Sequence, residues 1–93
     1  MAQKKIVYSE QSLKDLDRIV KHVANNLSED LAILTYREIR AAINSLIKFP
    51  KLGNPSLKHL LQRQLVVKKN TIYYSEQDDD IVITNIRPRK TSE

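Results

Sequence analysis

The chain has no cysteine, one glycine, one phenylalanine and three prolines among its 93 residues. Without cysteine there is no disulfide framework, no thiol nucleophile and no cysteine-ligated zinc site. Such a chain suits a reducing compartment. With one glycine and ordinary apolar content, the composition is not that of a disordered segment. No apolar run approaches the roughly 20 residues of a membrane span. Met1-Ala2-Gln3-Lys4-Lys5 leads straight into Ile6-Val7-Tyr8 with no apolar core of a signal peptide, so the expected location is the cytoplasm. Internal repeats, linkers and low-complexity stretches are absent too, and a length of 93 residues (1–93) predicts one domain.

Acidic residues are missing from one long stretch. Between Lys48 and Ser75 there is no Asp or Glu, while Lys48, Lys51, Lys58, Arg63, Lys68 and Lys69 all fall there. Net charge is +5. A basic surface of this kind attracts polyanions, either nucleic acid or an acidic protein, or serves only solubility.

The periodicities predict an α+β fold. Lys4 to Tyr8 reads as a short strand. Ser9 and Ser12 are alternative N-caps for a first helix, with Asp15 in a capping-box position relative to Ser12. Leu13, Leu16, Val20, Val23 and Leu27, with Ile19 beside them, make its apolar stripe, and the helix stops near Asn25-Asn26. Ser28-Glu29-Asp30 caps a second helix that runs to about Lys48. Ala32, Tyr36, Ile39, Ile43 and Leu46 form its stripe, widened by Leu34 and Ile47, with Arg37, Glu38, Arg40 and Asn44 facing water. The short connection predicts an antiparallel helical hairpin. Phe49 and Leu52 are expected to plug the base of the core, and Ser56 to Gln62 reads equally as a helical turn or a loop.

The last third organises the rest. Arg63 to Lys69, Thr71 to Ser75 and Ile81 to Ile86 are three strands of an antiparallel meander, with turns at Asn70 and at Gln77 to Asp80. The first strand pairs with one of these three, completing one small sheet with the hairpin on one face. Asp78-Asp79-Asp80 reads as a solubilising turn, and no metal or cofactor is expected.

The order of Ser9-Glu10-Gln11-Ser12-Leu13-Lys14-Asp15-Leu16, then Phe49-Pro50-Lys51-Leu52-Gly53, then Arg63-Gln64-Leu65-Val66-Val67, Ile72-Tyr73-Tyr74, Ile81-Val82-Ile83 and a closing Arg resembles the RelE/ParE family, the toxins of type II toxin–antitoxin modules. The resemblance spans Ile6 to Arg89. It implies a growth-inhibiting toxin of the plasmid-stabilisation type, neutralised by an acidic or amphipathic antitoxin in a hetero-oligomer. It also implies one of two targets: DNA gyrase, which is poisoned by binding, or ribosome-bound messenger RNA, which is cut by an mRNA interferase.

Metal-free RNA cleavage needs a base, an acid and cations on the phosphate. Lys68, Lys69 and Arg89 lie in the corresponding regions, and Arg89 matches the family's terminal Arg. Two positions depart from the nuclease pattern. Thr71 stands where that branch often has Arg, and only Lys90, Thr91, Ser92 and Glu93 follow Arg89, without the tail Tyr or His. The catalytic set is incomplete, which favours the gyrase branch. The endonuclease and a silent relic of the fold stand as alternatives.

Arg63, Lys68, Lys69, Tyr73, Arg87 and Arg89 are therefore the candidate target or antitoxin groove. Each has a plain structural reading as well. Lys68 and Lys69 adjoin in a strand, so one points to each face and one is simply solvated. Arg63 pairs with a neighbouring carboxylate. Of Tyr73 and Tyr74, one is core and the other covers the sheet or stacks on a base. His22 is inert on the helix, and His59 is a solvent-exposed loop histidine.

Overall fold

The computed structural model describes residues 4–56 and 61–89. Its order is β1 (Lys5–Tyr8), α1 (Glu10–Asn26), α2 (Glu29–Ser45), β2 (Asn54–Pro55), β3 (Arg63–Val67), β4 (Asn70–Gln77) and β5 (Asp80–Pro88). The architecture is α+β with one five-stranded mixed sheet, ordered β1-β5-β4-β3-β2. The meander β3-β4-β5 is antiparallel, as its alternation predicts. β1 lies beside β5 and runs parallel to it, with Ile6 opposite Ile81 and Tyr8 opposite Ile83. A parallel pairing needs a crossover, and the α1–α2 hairpin is that crossover. The two-residue β2 adds an edge that the sequence pattern does not announce.

Ser9 is the cap that α1 uses. Its hydroxyl accepts from Ser12 N (3.0 Å) and donates to Thr84 O (2.9 Å), so the cap also ties the helix to β5. Ser12 is then free to turn inward, and it is fully buried with Asp15. This corrects the expected stripe. The core face of α1 is Ser12, Asp15, Leu16 and Ile19, while Leu13 and Leu27 are exposed. Asp15 is not a capping-box residue; its carboxylate crosses to the sheet and accepts from Ile86 N (3.0 Å).

α2 starts at the Ser28 cap, whose hydroxyl accepts from Leu31 N (3.1 Å). It ends at Ser45 instead of Lys48, because residues 46–48 tighten into turns before Pro50, which cannot continue a helix. Ala32, Ile39, Ile43 and Leu46 face the core; Tyr36 and Leu34 are exposed. Phe49 and Leu52 are exposed as well and do not plug the core. Tyr74 takes that place: its hydroxyl donates to Pro50 O (2.8 Å) and accepts from Gly53 N (2.9 Å).

The core is Leu16, Ile19, Ile39, Ile43, Leu46, Ile72, Tyr74, Ile81, Ile83 and Ile86. Each such side chain contributes on the order of 1.5–3 kcal/mol by leaving water. Ile81, Ile83 and Ile86 reach the same face although the spacing changes from two to three, because Tyr73 pairs with Asn85 and Tyr74 with Ile83. Thr84 is the extra residue of a β-bulge, and its side chain closes the gap by donating to Tyr73 O (3.1 Å).

Candidate functional site

The two hairpin turns decide where the cations go. Lys68 and Lys69 are not strand residues. Val67 pairs with Asn70, so the lysines are the two central residues of a tight β3–β4 turn, and Asn70 opens β4. Lys68 has φ 54°, the left-handed conformation that the first central position of such a turn demands. Both lysines are exposed, so the expectation of one on each sheet face is replaced by two on one loop tip. The Asp78–Asp79 turn at the other end of β4 is built the same way, with Asp78 at φ 36°.

Arg89 joins the lysines. Past Pro88 its backbone N–H donates to Lys69 O (2.6 Å), which lashes the end of β5 to the turn. Lys68 also forms an ion pair with Glu38 of α2. Lys68, Lys69 and Arg89 therefore share one end of the molecule and one rim.

That rim borders a groove of ≈ 1300 Å³. Past Ile19 no described α1 side chain is buried, so the tip of the helical hairpin overhangs the sheet. Its underside presents Val23, Leu27, Leu31 and Leu34, with Leu27 67% and Leu34 48% exposed. Val67, Asn70 and Pro88 form the floor, and Arg18 and His22 line the α1 side. His22, inert by its position in the sequence, is thus a groove residue, and Asn26 donates to its carbonyl (2.8 Å). An apolar trough with a cationic lip fits an amphipathic acidic segment.

The other candidates lie elsewhere. Arg63 is at the far end of β3 and donates to Gly53 O (2.8 Å); among the described residues it forms no ion pair with a carboxylate. It holds the β2 edge in place instead of meeting a charge. Tyr73 is half-buried in a cross-strand row with Gln64 and Asn85, while its neighbour Tyr74 is the core tyrosine. Arg87 sits opposite Thr71 on β5 and is exposed. By strand alternation Tyr73 and Arg87 belong to the sheet face that the helices leave open. His59 lies outside the described residues, as does most of the segment from Ser56 to Gln62, although Ser56 N donates to Gln62 O (2.9 Å) across its neck.

Sequence reasoning missed the leucine trough. The signal was present: Leu31 and Leu34 fall off the Ala32–Ile39–Ile43 stripe, and Leu27 extends the α1 stripe beyond the length the sheet can cover. Asp15 was missed because its place near a helix start has a simpler explanation in capping. Burial pulls its carboxyl upward, but the Ile86 N–H, the Gln11 amide (2.8 Å) and Arg18 (3.0 Å) outweigh that and hold it below the ordinary carboxylate range.

Residues 6–92 match the family model described as the ParE toxin of the type II toxin–antitoxin system parDE. Among solved structures, the fold is similar to a chain of the chromosomal ParDE toxin–antitoxin system from P. aeruginosa, with TM-score 0.84 and 17% identity over 95% of this chain and 98% of that one. It is also similar to the hypothetical protein HP0894 from Helicobacter pylori, with TM-score 0.51 and 13% identity over 91% and 93% of the two chains. No curated protein matches the chain in sequence.

Proposed function

We propose, from the premise that this chain belongs to the ParE toxin family of type II toxin–antitoxin systems, that it arrests bacterial growth by poisoning DNA gyrase. Membership of that family implies a cognate ParD antitoxin as partner. In this reading the antitoxin lays an amphipathic acidic segment into the leucine trough and against Lys68, Lys69 and Arg89. The observation that carries the reading is this junction of apolar groove and cationic lip, a surface made for binding. Thr71 supports the choice of target, since a buried, uncharged strand residue stands where the resemblance to the RNA-cutting branch would often place an Arg.

The test is made in two steps. Purified chain is added to gyrase with relaxed plasmid, and supercoiling and trapped double-strand cleavage are followed. The chain is then added to a translating cell-free extract, and the 5′ ends of the message are mapped. Loss of supercoiling with an intact message is the expected result. New message ends that depend on translation would replace the gyrase reading with an endonuclease using Lys68 or Lys69 with Arg89. Replacing Lys68, Lys69 and Arg89 by Glu weakens toxicity and antitoxin binding together; unchanged antitoxin affinity would separate the two surfaces.

A further inference from the structure

A second groove lies on the other side of α2, away from the lysine turn. It has a volume of ≈ 390 Å³ and runs between Leu13, Leu16 and Val20 of α1 and Tyr36 and Arg40 of α2, with Tyr8 of β1 at its base. Arg40 was expected in water. Instead it is half-buried between two rings, its guanidinium carbon 5.3 Å from the Tyr8 centroid and 5.5 Å from that of Tyr36. Its Nη1 donates to Tyr36 Oη (2.6 Å).

Two polar atoms in this cluster have no partner. Arg40 Nε and Tyr8 Oη are both shielded from solvent and neither has a well-formed hydrogen bond, although the Arg40 guanidinium lies near enough to the Tyr8 hydroxyl to pull its pKa down against the larger upward effect of burial. No carboxylate among the described residues pairs with Arg40; Asp17, which lines the same groove, is engaged with Lys21 at 3.0 Å. A half-buried guanidinium without a counter-charge and a buried hydroxyl without a partner are each costly, and one carboxylate answers both. A carboxylate accepts from Nε–H and from the phenol at once, and a guanidinium fork is shaped for such a group. Burial also pushes the Tyr8 phenol above its ordinary range, which keeps it a donor.

We infer that this groove docks a protein segment carrying an Asp or Glu flanked by aliphatic side chains, the carboxylate on Arg40 and Tyr8 and the aliphatic groups against Leu13, Leu16 and Val20. The walls choose a peptide over a nucleic acid: three aliphatic side chains suit a hydrocarbon neighbour. The antitoxin is the partner that brings the segment, and on this point alone the inference rests on the reading above. It gives the antitoxin a second hold, separate from the lysine turn.

The experiment follows the Arg40 Nε–H resonance by NMR in the full chain. The probe is N-acetyl leucyl-glutamyl-leucine amide, with its glutaminyl counterpart and acetate as controls. The glutamyl peptide moves the resonance downfield to saturation, and Tyr8→Phe weakens the effect about ten-fold. Tyr8→Phe keeps the ring and its packing, so a folding defect does not imitate this result. Equal shifts with both peptides, or with acetate alone, overturn the inference. So does a shift that depends on the concentration of the chain without peptide, which would assign the groove to a second copy. In the complex with the cognate antitoxin the same resonance moves the same way. An unmoved Arg40 in a complex that still needs Lys68, Lys69 and Arg89 overturns the second hold and leaves the toxin–antitoxin reading standing.

Discussion

Asp15 touches three residues from a fully buried position: Gln11 and Arg18 on its own helix and the Ile86 N–H on β5. Its carboxyl is held below the ordinary range, so its contribution to stability is present above the unfolded pKa of about 3.9 and disappears as pH falls through the folded value. Asp15→Asn is therefore expected to lower the urea midpoint at pH 7, and the gap to wild type narrows below about pH 4. A gap that stays constant from pH 7 to pH 3 would show that shape, not charge, matters at this position. Tyr74 poses a different test. Its hydroxyl satisfies both Pro50 O and Gly53 N inside the core, so Tyr74→Phe strands two buried backbone groups and is expected to cost about 1–3 kcal/mol in denaturant unfolding. The contact is close enough to require glycine beneath it: a Cβ on Gly53 would lie 2.7 Å from Gln64 O and 2.9 Å from the Tyr74 ring.

At the scale of elements, the β3–β4 turn sets the fold against the proposed antitoxin contact. Lys68 holds a left-handed backbone at φ 54°, which costs a residue with a Cβ on the order of 1 kcal/mol. Its exposed pair with Glu38 returns at most about that much. Lys68→Gly is thus expected to leave the thermal midpoint unchanged or slightly raised, while antitoxin affinity falls. A drop of several degrees would mean that the ion pair, not the turn, sets local stability. The overhanging tip of the α1–α2 hairpin reads the same way. Leu31 and Leu34 are 44% and 48% exposed, so replacing both by Ser changes stability by no more than about 1 kcal/mol. The same pair of substitutions is expected to weaken antitoxin binding at least ten-fold in a titration; undiminished binding would remove the trough from the interface.

For the whole molecule, charge is the lever. The chain carries +5, and Lys68, Lys69 and Arg89 are gathered at one end by a turn and one backbone hydrogen bond. Association with an acidic partner is then steered over distances that salt shortens, from about 10 Å at 0.1 M to about 3 Å at 1 M. Raising sodium chloride over that range is expected to slow antitoxin association by ten-fold or more in stopped-flow measurements, with a much smaller change in dissociation. A salt effect confined to dissociation would place the charges inside a closed interface instead of on its approach.

Local patterns in the sequence determined the order of strand, two helices and three-stranded meander: a serine cap ahead of each helix, the helical spacing of Ile39, Ile43 and Leu46, and the alternation of Ile81 with Ile83. These signals act over one to two turns of chain, and no tertiary contact overrides them. The cationic residues of the rim were legible as types, and Arg89 as the closing residue, but not their grouping. Only the tertiary structure decided that Lys68 and Lys69 form a turn, because the register of β3 on β4 comes from burying Leu65 against Ile72 and not from the lysines. It also decided that Asp15 goes inward, since the acceptor is needed by a strand 71 residues away. The same holds for the leucine trough and the Arg40 groove. Both arise where two helices meet or outrun a sheet, and the spacing of one helix has no record of where the other element ends.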